Sequence, residues 1–461
     1  MPRPSLSSRA CLSSAITLAC LLLPVSPTAA AALPGVSAAS DSALVPAKVL
    51  EGRRAALFDL LEPGIVLIRS ADPRDLDEHP QDTDFRQNND FYYLTGLETP
   101  GSWLVMFKPG TGPGKSVLYL PERDDMSESW TGPRLGPGEE AVRRTGIKEV
   151  RPVAGFEQEI AARLRAGWAL EQYRRLYLPM GEETVHTREL VELALGSSRT
   201  ISDVGAPLAE LRVVKDSVEL ARLRRAIEIT GEAQREAMKA ARPGMHEYEL
   251  EAVVEYVFHS RGAERVGFPS IVGSGPNSVI LHHDKNRRRM EEGDLVVVDV
   301  GAEYGYYTAD VTRTFPVNGE FTDRQRAIYE LVLATQKTVI DSIRPGIGVA
   351  QLEQIARRYM REHSDGLCGA ATCDRFFVHG LGHWLGMDVH DVGDYERPLE
   401  PGMVLTIEPG IYLADESLGI RIEDDVLVTE HGHEVLSTGA PKTVEGIEAL
   451  MRDASCLIEC R

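Results

Sequence analysis

From about residue 45 onward, hydrophobic and polar positions alternate with the periods of helices and strands. Amphipathic periods predict helices, and short unbroken apolar runs predict buried strands. Strands that alternate with helices indicate a small α/β domain, to which we assign residues 46–205. The elements predicted there are helices at 48–60 and 154–166 and strands at 64–68, 102–107 and 116–120.

The pattern changes near residue 213, where a long amphipathic helix is predicted at 217–241. Asp216 or Ser217 is the expected N-cap, with Glu219 completing the first turn, and Pro243-Gly244 ends the helix. The predicted buried face consists of Leu220, Leu223, Ile227 and Ala233.

Helices and antiparallel-type strands alternate from this helix to about residue 446, which defines a second domain at 213–446 and a tail at 447–461. A helix followed by Arg-Pro-Gly occurs at 242–244 and again at 344–346. Each is followed by another helix and then by strands. This recurrence predicts an internal duplication.

The first 32 residues have the pattern of a secretory signal peptide. Arg3 and Arg9 are the only charges among residues 1–40, an apolar stretch covers 15–25, and small residues follow. A membrane anchor is the alternative, but the apolar stretch is interrupted by prolines and is shorter than the roughly 20 residues of a spanning helix. We therefore expect an exported protein, periplasmic or secreted, with a linker at 33–45.

Composition narrows the classes of function. The 461 residues include 50 Lys and Arg against 70 Asp and Glu, a formal net charge of −20. This balance argues against binding of nucleic acid or of an anionic membrane surface. Four cysteines remain after the predicted signal, and they allow either disulfides of three connectivities or a zinc knuckle. They are Cys368, Cys373, Cys456 and Cys460.

Acidic residues recur inside or at the ends of apolar strand-like runs. A buried charge needs a partner or a metal, so four such positions with a glycine-flanked histidine indicate a metal site. Carboxylates and imidazole suit one or two divalent cations such as Mn²⁺, Co²⁺ or Zn²⁺. The candidate ligands are Asp299, Asp310, His383, Glu408 and Glu423.

Three other histidines, His282, His379 and His390, are candidate donors to a developing oxyanion. With the five candidate ligands and the strings at 86–96, 310–319 and 379–393, they resemble the pita-bread metallopeptidase family. This family includes methionine aminopeptidase, Xaa-Pro aminopeptidase and prolidase, and the resemblance is strongest to Xaa-Pro aminopeptidase. It covers about residues 45–445.

The resemblance implies an α/β (α+β) fold with a catalytic pita-bread domain and a smaller N-terminal α/β domain that walls the cleft. It also implies a role for each site residue. Asp299 binds one metal, Asp310 and Glu423 bridge both metals, and His383 and Glu408 complete the other. Glu408 is also the general base. His282 and His390 hold the substrate carbonyl, His379 lines the proline pocket, and Arg421 supports Asp299 together with Tyr412. His283 receives no role.

The function implied is that of a metal-dependent exopeptidase, which cleaves between an N-terminal residue and a following proline. Two divalent cations, with Mn²⁺ expected ahead of Co²⁺ or Zn²⁺, would activate a shared water. The resemblance further implies a homo-oligomer, a dimer or tetramer. Prolidase, which cleaves Xaa-Pro dipeptides, is the first alternative. A non-catalytic peptide-binding protein of the same fold is the second.

Overall fold

The computed structural model describes residues 44–72, 85–166, 172–180 and 199–453, together with 188, 191–192, 195–196 and 455. The predicted signal peptide, nearly all of the predicted linker, and Cys456 and Cys460 lie outside the described residues. Within the described ranges, no helix has the length and apolar character that crossing a membrane requires.

The first part of the described chain forms one six-stranded mixed sheet in the order β4-β3-β2-β1-β5-β6. Its strands are β1 (Gly64–Arg69), β2 (Trp103–Lys108), β3 (Lys115–Leu120), β4 (Glu149–Pro152), β5 (Arg175–Leu178) and β6 (Thr200–Asp203). Its helices are α1 (Ala47–Leu60), α2 (Asn89–Thr95), α3 (Asp125–Thr131), α4 (Glu139–Thr145) and α5 (Phe156–Arg165). The predicted strands and helices are confirmed, with ends shifted by a residue or two.

The central strand β1 explains why its sequence is an unbroken apolar run. It pairs antiparallel with β2 and parallel with β5, and its first five residues are buried. A strand covered on both faces has no solvent side on which polar residues would alternate.

The second part of the chain carries four small sheets, ordered β11-β10-β7, β12-β9-β8, β13-β16-β17 and β14-β15. Its helices are α6 (Gly205–Val213), α7 (Ser217–Ala240), α8 (Glu247–Ser260), α9 (Asp323–Ile340), α10 (Val349–Glu362) and α11 (Val444–Leu450). Its strands are β7 (Arg265–Val266), β8 (Ile271–Ser274), β9 (Leu295–Val300), β10 (Ala302–Tyr304), β11 (Tyr307–Thr308), β12 (Val311–Pro316), β13 (Val404–Ile407), β14 (Gly410–Leu413), β15 (Leu418–Arg421), β16 (Asp424–Thr429) and β17 (Gly432–Val435).

Helix α7 begins at the predicted cap. The Asp216 carboxylate accepts hydrogen bonds from the backbone N–H groups of Val218 and Glu219, and the Glu219 side chain accepts from the Asp216 N–H. This reciprocal pair is a capping box, which satisfies N–H groups that lack a partner within the helix. Of the predicted apolar face, only Leu220 is half-buried rather than buried.

The two Arg-Pro-Gly sequences occupy equivalent turns, one between α7 and α8 and the other between α9 and α10. Gly244 has φ 96° and Gly346 has φ 90°, a left-handed conformation that side chains other than glycine rarely adopt. The same helix–turn–helix unit therefore occurs twice, which agrees with the predicted duplication.

The N-terminal domain contacts the loop 386–391 of the second domain. Arg86 donates to the Met387 carbonyl at 2.8 Å and forms an ion pair with buried Glu303 at 2.9 Å. The Asn89 amide donates to the Asp388 carboxylate at 2.8 Å. These contacts matter because the loop also carries His390.

One disulfide is present in the described chain. It joins Cys368 to Cys373, five positions apart, in the segment between α10 and His379. A disulfide at these positions excludes the zinc knuckle that the four cysteines left open.

Candidate metal centre

Two pairs of antiparallel strands bring four carboxylates together. Asp299 lies within β9, and Asp310 immediately precedes the paired strand β12. Glu408 immediately follows β13, and Glu423 immediately precedes the paired strand β16. Each strand pair thus contributes two acidic side chains, and three of the four stand just outside a strand rather than within it.

Two hydrogen bonds, one from the backbone N–H of His383 and one from its ring, orient its side chain toward these carboxylates. Its N–H donates to the Thr406 hydroxyl at 3.0 Å, and its Nδ1 lies 3.1 Å from the Trp384 carbonyl oxygen. With Nδ1–H donating to that carbonyl, Nε2 keeps its lone pair. Nε2 lies 3.3 Å from Asp310 Oδ2 and 3.6 Å from Glu408 Oε1.

The unsatisfied oxygens of the site show that a cation fits it. Asp310, His383 and Glu423 offer ligand atoms that all lie within 4.8 Å of one another. Oδ1 of Asp299 and Oδ1 of Asp310 are buried and have no hydrogen-bond partner among the described residues. A buried carboxylate oxygen without a donor is costly, and a divalent cation removes that cost.

The proximity of the acids perturbs their titration. Burial first, and then the charge of Asp299, raises the pKa of Asp310 well above its ordinary range. Burial and the charge of Asp310 raise the pKa of Glu423 in the same way. Burial raises the pKa of Glu408 to about 7. The surrounding residues therefore supply too little positive charge to stabilise these three carboxylates as anions, and bound cations would supply the rest.

Two side chains orient the carboxylates from behind. Buried Arg421 donates to Asp299 Oδ2 at 2.6 Å and to the Tyr412 hydroxyl at 3.0 Å. The Thr312 hydroxyl donates to Glu423 Oε2 at 2.6 Å. Such partners fix the direction in which a ligand oxygen points.

His379 lies between Tyr412 and Glu408. Its Nδ1 lies 2.8 Å from the Gly380 carbonyl oxygen, and its Nε2 lies 2.8 Å from the Tyr412 hydroxyl. Because Tyr412 accepts from Arg421, its own proton goes to Nε2, and His379 donates through Nδ1. Burial, followed by the charge of Arg421, lowers the pKa of His379 to about 4, so its ring is neutral at pH 7. Nδ1 is also 3.7 Å from Glu408 Oε2.

His390 lies beside the candidate ligands. Its ring centroid is 4.2 Å from that of His383. Burial first, and then His383 and His282, lower the pKa of His390. His282 and His390 line the same cavity as the candidate metal ligands.

The cavity has a volume of about 610 Å³ and joins a polar floor to an apolar wall. Its apolar lining is Phe268, Pro269, Ile271, Leu281 and Val389. All its lining residues fall between 268 and 423. The described residues of the N-terminal domain do not wall the cleft, contrary to expectation. They support the loop 386–391 from outside the cavity instead.

Several supporting residues were missed by sequence reasoning. His283, which had no assigned role, has Nε2 at 3.1 Å from Oε2 of buried Glu247. That carboxylate also accepts from the N–H groups of Ser274 and Arg288, so it anchors the segment that carries His282. Thr312 was missed as well, although it lies on β12, the strand that Asp310 immediately precedes.

Comparison with known proteins agrees with this geometry. Residues 221–430 match Metallopeptidase family M24, and residues 50–168 match the Aminopeptidase P, N-terminal domain. The Xaa-Pro aminopeptidase of Escherichia coli is 38% identical, over 87% of this chain and 96% of that protein. Human Xaa-Pro dipeptidase is 34% identical, over 80% of this chain and 84% of that protein.

Solved structures give the same answer for the fold. A zinc-substituted Escherichia coli aminopeptidase P in complex with product matches with a TM-score of 0.82 and 37% identity, over 89% of this chain and 99% of that one. The chain therefore belongs to metallopeptidase family M24. It has the architecture of aminopeptidase P, an N-terminal α/β domain followed by a pita-bread domain, and it is a metalloaminopeptidase.

Proposed function

We propose that this protein removes the N-terminal residue from peptides whose second residue is proline. The observation that carries the proposal is the convergence of Asp299, Asp310, His383, Glu408 and Glu423 on one cavity with an apolar wall. The two-domain match to Xaa-Pro aminopeptidases supports the same substrate class. The bond before proline lacks an N–H, so an enzyme that cleaves it needs a cavity shaped for the ring.

Each residue has a task in this proposal. Two divalent cations held by the five ligands would polarise the scissile carbonyl and lower the pKa of the attacking water. Glu408 accepts a proton from that water. His282 and His390 donate to the oxygen on which negative charge develops. His379 faces the proline ring, and Arg421 holds Asp299 in position.

We propose Mn²⁺ as the metal, ahead of Co²⁺ and Zn²⁺. Four carboxylates and one imidazole without a thiolate form a hard donor set, which favours Mn²⁺ over softer ions. Metal analysis of the purified protein, followed by chelation and restoration with each ion, tests the identity. Activity that survives exhaustive chelation contradicts the metal requirement.

The decisive test is a Glu408→Ala variant assayed on Ala-Pro-Ala. We expect turnover to fall by about 10²–10⁴-fold, the usual contribution of a general base. Glu416→Ala is the matched control, because Glu416 is an exposed acid that pairs with Arg324, and its removal should leave turnover unchanged. Full activity of Glu408→Ala would refute the proposed role.

Prolidase activity is the second candidate, favoured by the match to human Xaa-Pro dipeptidase. The same ligands serve both activities, so kinetics must separate them. Ala-Pro and Ala-Pro-Ala should be compared on one preparation. A higher kcat/KM for Ala-Pro would replace our proposal with a dipeptidase, and no release from either peptide would favour a peptide-binding protein.

We infer that the protein is exported, to a periplasm or the medium, and acts as a dimer or tetramer. The signal-like pattern of residues 1–32 supports export. The Cys368–Cys373 disulfide supports it too, because disulfides persist in oxidising compartments. Light scattering on the purified protein measures the oligomer, and a monomer mass would contradict that part of the inference.

A further inference from the structure

A buried glutamine lies beneath the first pair of metal-ligand strands. Gln234, in α7, is fully buried, and its side-chain amide donates to two backbone carbonyls. The distances from Nε2 are 2.9 Å to Val298 O and 2.7 Å to Val311 O. Val298 immediately precedes Asp299, and Val311 immediately follows Asp310. One amide group thus holds the backbone beside both ligands of this strand pair.

A second glutamine does the same beneath the other strand pair. Gln336, in α9, is also fully buried. Its Nε2 donates to Ile407 O at 3.1 Å and to Ile422 O at 3.0 Å. Ile407 ends β13 and immediately precedes Glu408, and Ile422 lies between β15 and β16 and immediately precedes Glu423. All four carboxylate ligands therefore have a neighbouring carbonyl fixed by one of two glutamine amides.

The two glutamines are equivalent positions of the duplicated unit. Each lies eight residues before an Arg-Pro-Gly turn, at 242–244 for Gln234 and at 344–346 for Gln336. Each is on the first helix of its repeat and donates to two backbone carbonyls beside the candidate ligands of that repeat. This pattern of donation is preserved, although the ligands are aspartates in one half and glutamates in the other.

We propose that Gln234 and Gln336 are positioning residues for the metal site. The carbonyl group of one residue and the N–H group of the next share one planar peptide group. A hydrogen bond to the carbonyl therefore fixes the orientation of that plane, and with it the direction of the next residue's side chain. Three of the four accepting peptide groups join directly to a ligand, and the fourth lies one residue beyond Asp310. A binding site needs its side chains held within about 0.5 Å and 10–20° of the productive geometry.

The competing explanation is that these amides contribute only to folding. An intramolecular hydrogen bond contributes about 1 kcal/mol net, and leaving a buried carbonyl without its donor costs about 1–3 kcal/mol. A purely structural amide would therefore lower the stability of the protein and leave its affinity for metal unchanged. A positioning role lowers both.

The test replaces each glutamine by methionine, which keeps the length of the side chain and removes its donors. Gln325→Met is the matched control. Gln325 is also buried in α9 and donates to one carbonyl, that of Gly293 at 2.8 Å, but Gly293 precedes β9 and lies six residues from Asp299, the nearest candidate ligand in sequence. The measurements are urea denaturation without metal, Mn²⁺ titration by calorimetry, and the EPR signal of the Mn²⁺-loaded protein.

We expect Gln234→Met and Gln336→Met to bind Mn²⁺ about tenfold or more weakly and to alter the coupled EPR signal, the range seen when the partners of metal ligands are removed. Gln325→Met should lose stability without either change. If the Mn²⁺ affinities of both glutamine variants stay within twofold of the original protein, the inference is overturned.

Gln336→Glu provides a second variant in case the methionine variants fail to fold. Lys442 Nζ already donates to Gln336 Oε1 at 2.8 Å, so a carboxylate there keeps a cationic partner while it loses the donors to Ile407 and Ile422. The same fall in Mn²⁺ affinity is expected. The inference rests on the proposed metal-dependent function. If the original protein binds no Mn²⁺, that function fails, whereas equal binding by all variants overturns the inference alone.

Discussion

Substitution of Asp391 tests whether buried ion pairs fix the loop 386–391, which carries His390. Its carboxylate is buried and accepts from Arg212 Nη2 at 2.6 Å and from Lys215 Nζ at 3.1 Å. The Lys215 side chain is 0% exposed, and that of Asp391 is 1% exposed. Asp391→Asn keeps the shape of the side chain but removes the charge that both cations face.

The structure gives the expected magnitude. Removing one partner of a buried ion pair leaves an uncompensated charge and costs about 3–5 kcal/mol of unfolding free energy. Asp388 is the matched control, because it lies on the same loop and pairs with the same Arg212 at 3.2 Å, but its side chain is 48% exposed. An exposed pair is worth about 0–1 kcal/mol, so Asp388→Asn should cost no more than that.

The assay is urea denaturation at pH 7, with differences taken from the transition midpoints and a common slope. Turnover of Ala-Pro-Ala should fall at least tenfold in Asp391→Asn, because His390 is the next residue, and less than threefold in Asp388→Asn. A third variant, Asp391→Asn with Lys215→Met, removes the orphaned ammonium and should be more stable than Asp391→Asn alone.

Two results would refute this reasoning. Equal stability losses in Asp391→Asn and Asp388→Asn would show that burial does not control the cost of breaking these pairs. A double variant less stable than Asp391→Asn would show that Lys215 is not left uncompensated. In either case the loop would have to be held by its backbone contacts rather than by its charges.

Two further predictions concern acid stability and processing. Burial opposes ionisation of Asp424, but Arg313 and Lys442 outweigh it and lower its pKa to about 2, so this acid contributes roughly 2 kcal/mol above pH 4 that is lost as the pH falls to 2. Asp424→Asn should flatten the pH dependence of the urea midpoint in that window, and an unchanged dependence contradicts the assignment. Mass mapping of the exported protein should find an amino terminus near residue 33 and a tryptic peptide 362–375 lacking two hydrogens, because Cys368 is bonded to Cys373. A retained leader, or free thiols at both positions, would contradict the prediction.

The sequence alone determined the local features of the fold, which depend on residues close together in the chain. Apolar runs became buried strands, and Asp216 with Glu219 formed the predicted capping box, because both patterns act over a few residues. The sequence also marked the five candidate ligands, whose side chains line one cavity. Burying a carboxylate costs free energy unless a cation or a hydrogen-bond donor compensates it. Acidic residues inside apolar runs therefore indicated a metal site.

The tertiary structure decided which distant residues meet. Gln336 and Ile422 are 86 positions apart, and Arg212 and Asp391 are 179 apart. The sequence around one residue of such a pair does not indicate its partner, because a glutamine or arginine can occur in many kinds of helix and contact many kinds of acceptor. Their partners become defined only when the strands have paired and the helices have packed, because only then does a buried donor meet one particular acceptor. The candidate ligands and the support of Asp299 by Arg421 were therefore readable from the chain, whereas Gln234, Gln336 and the pairing of Arg212 with Asp391 were not.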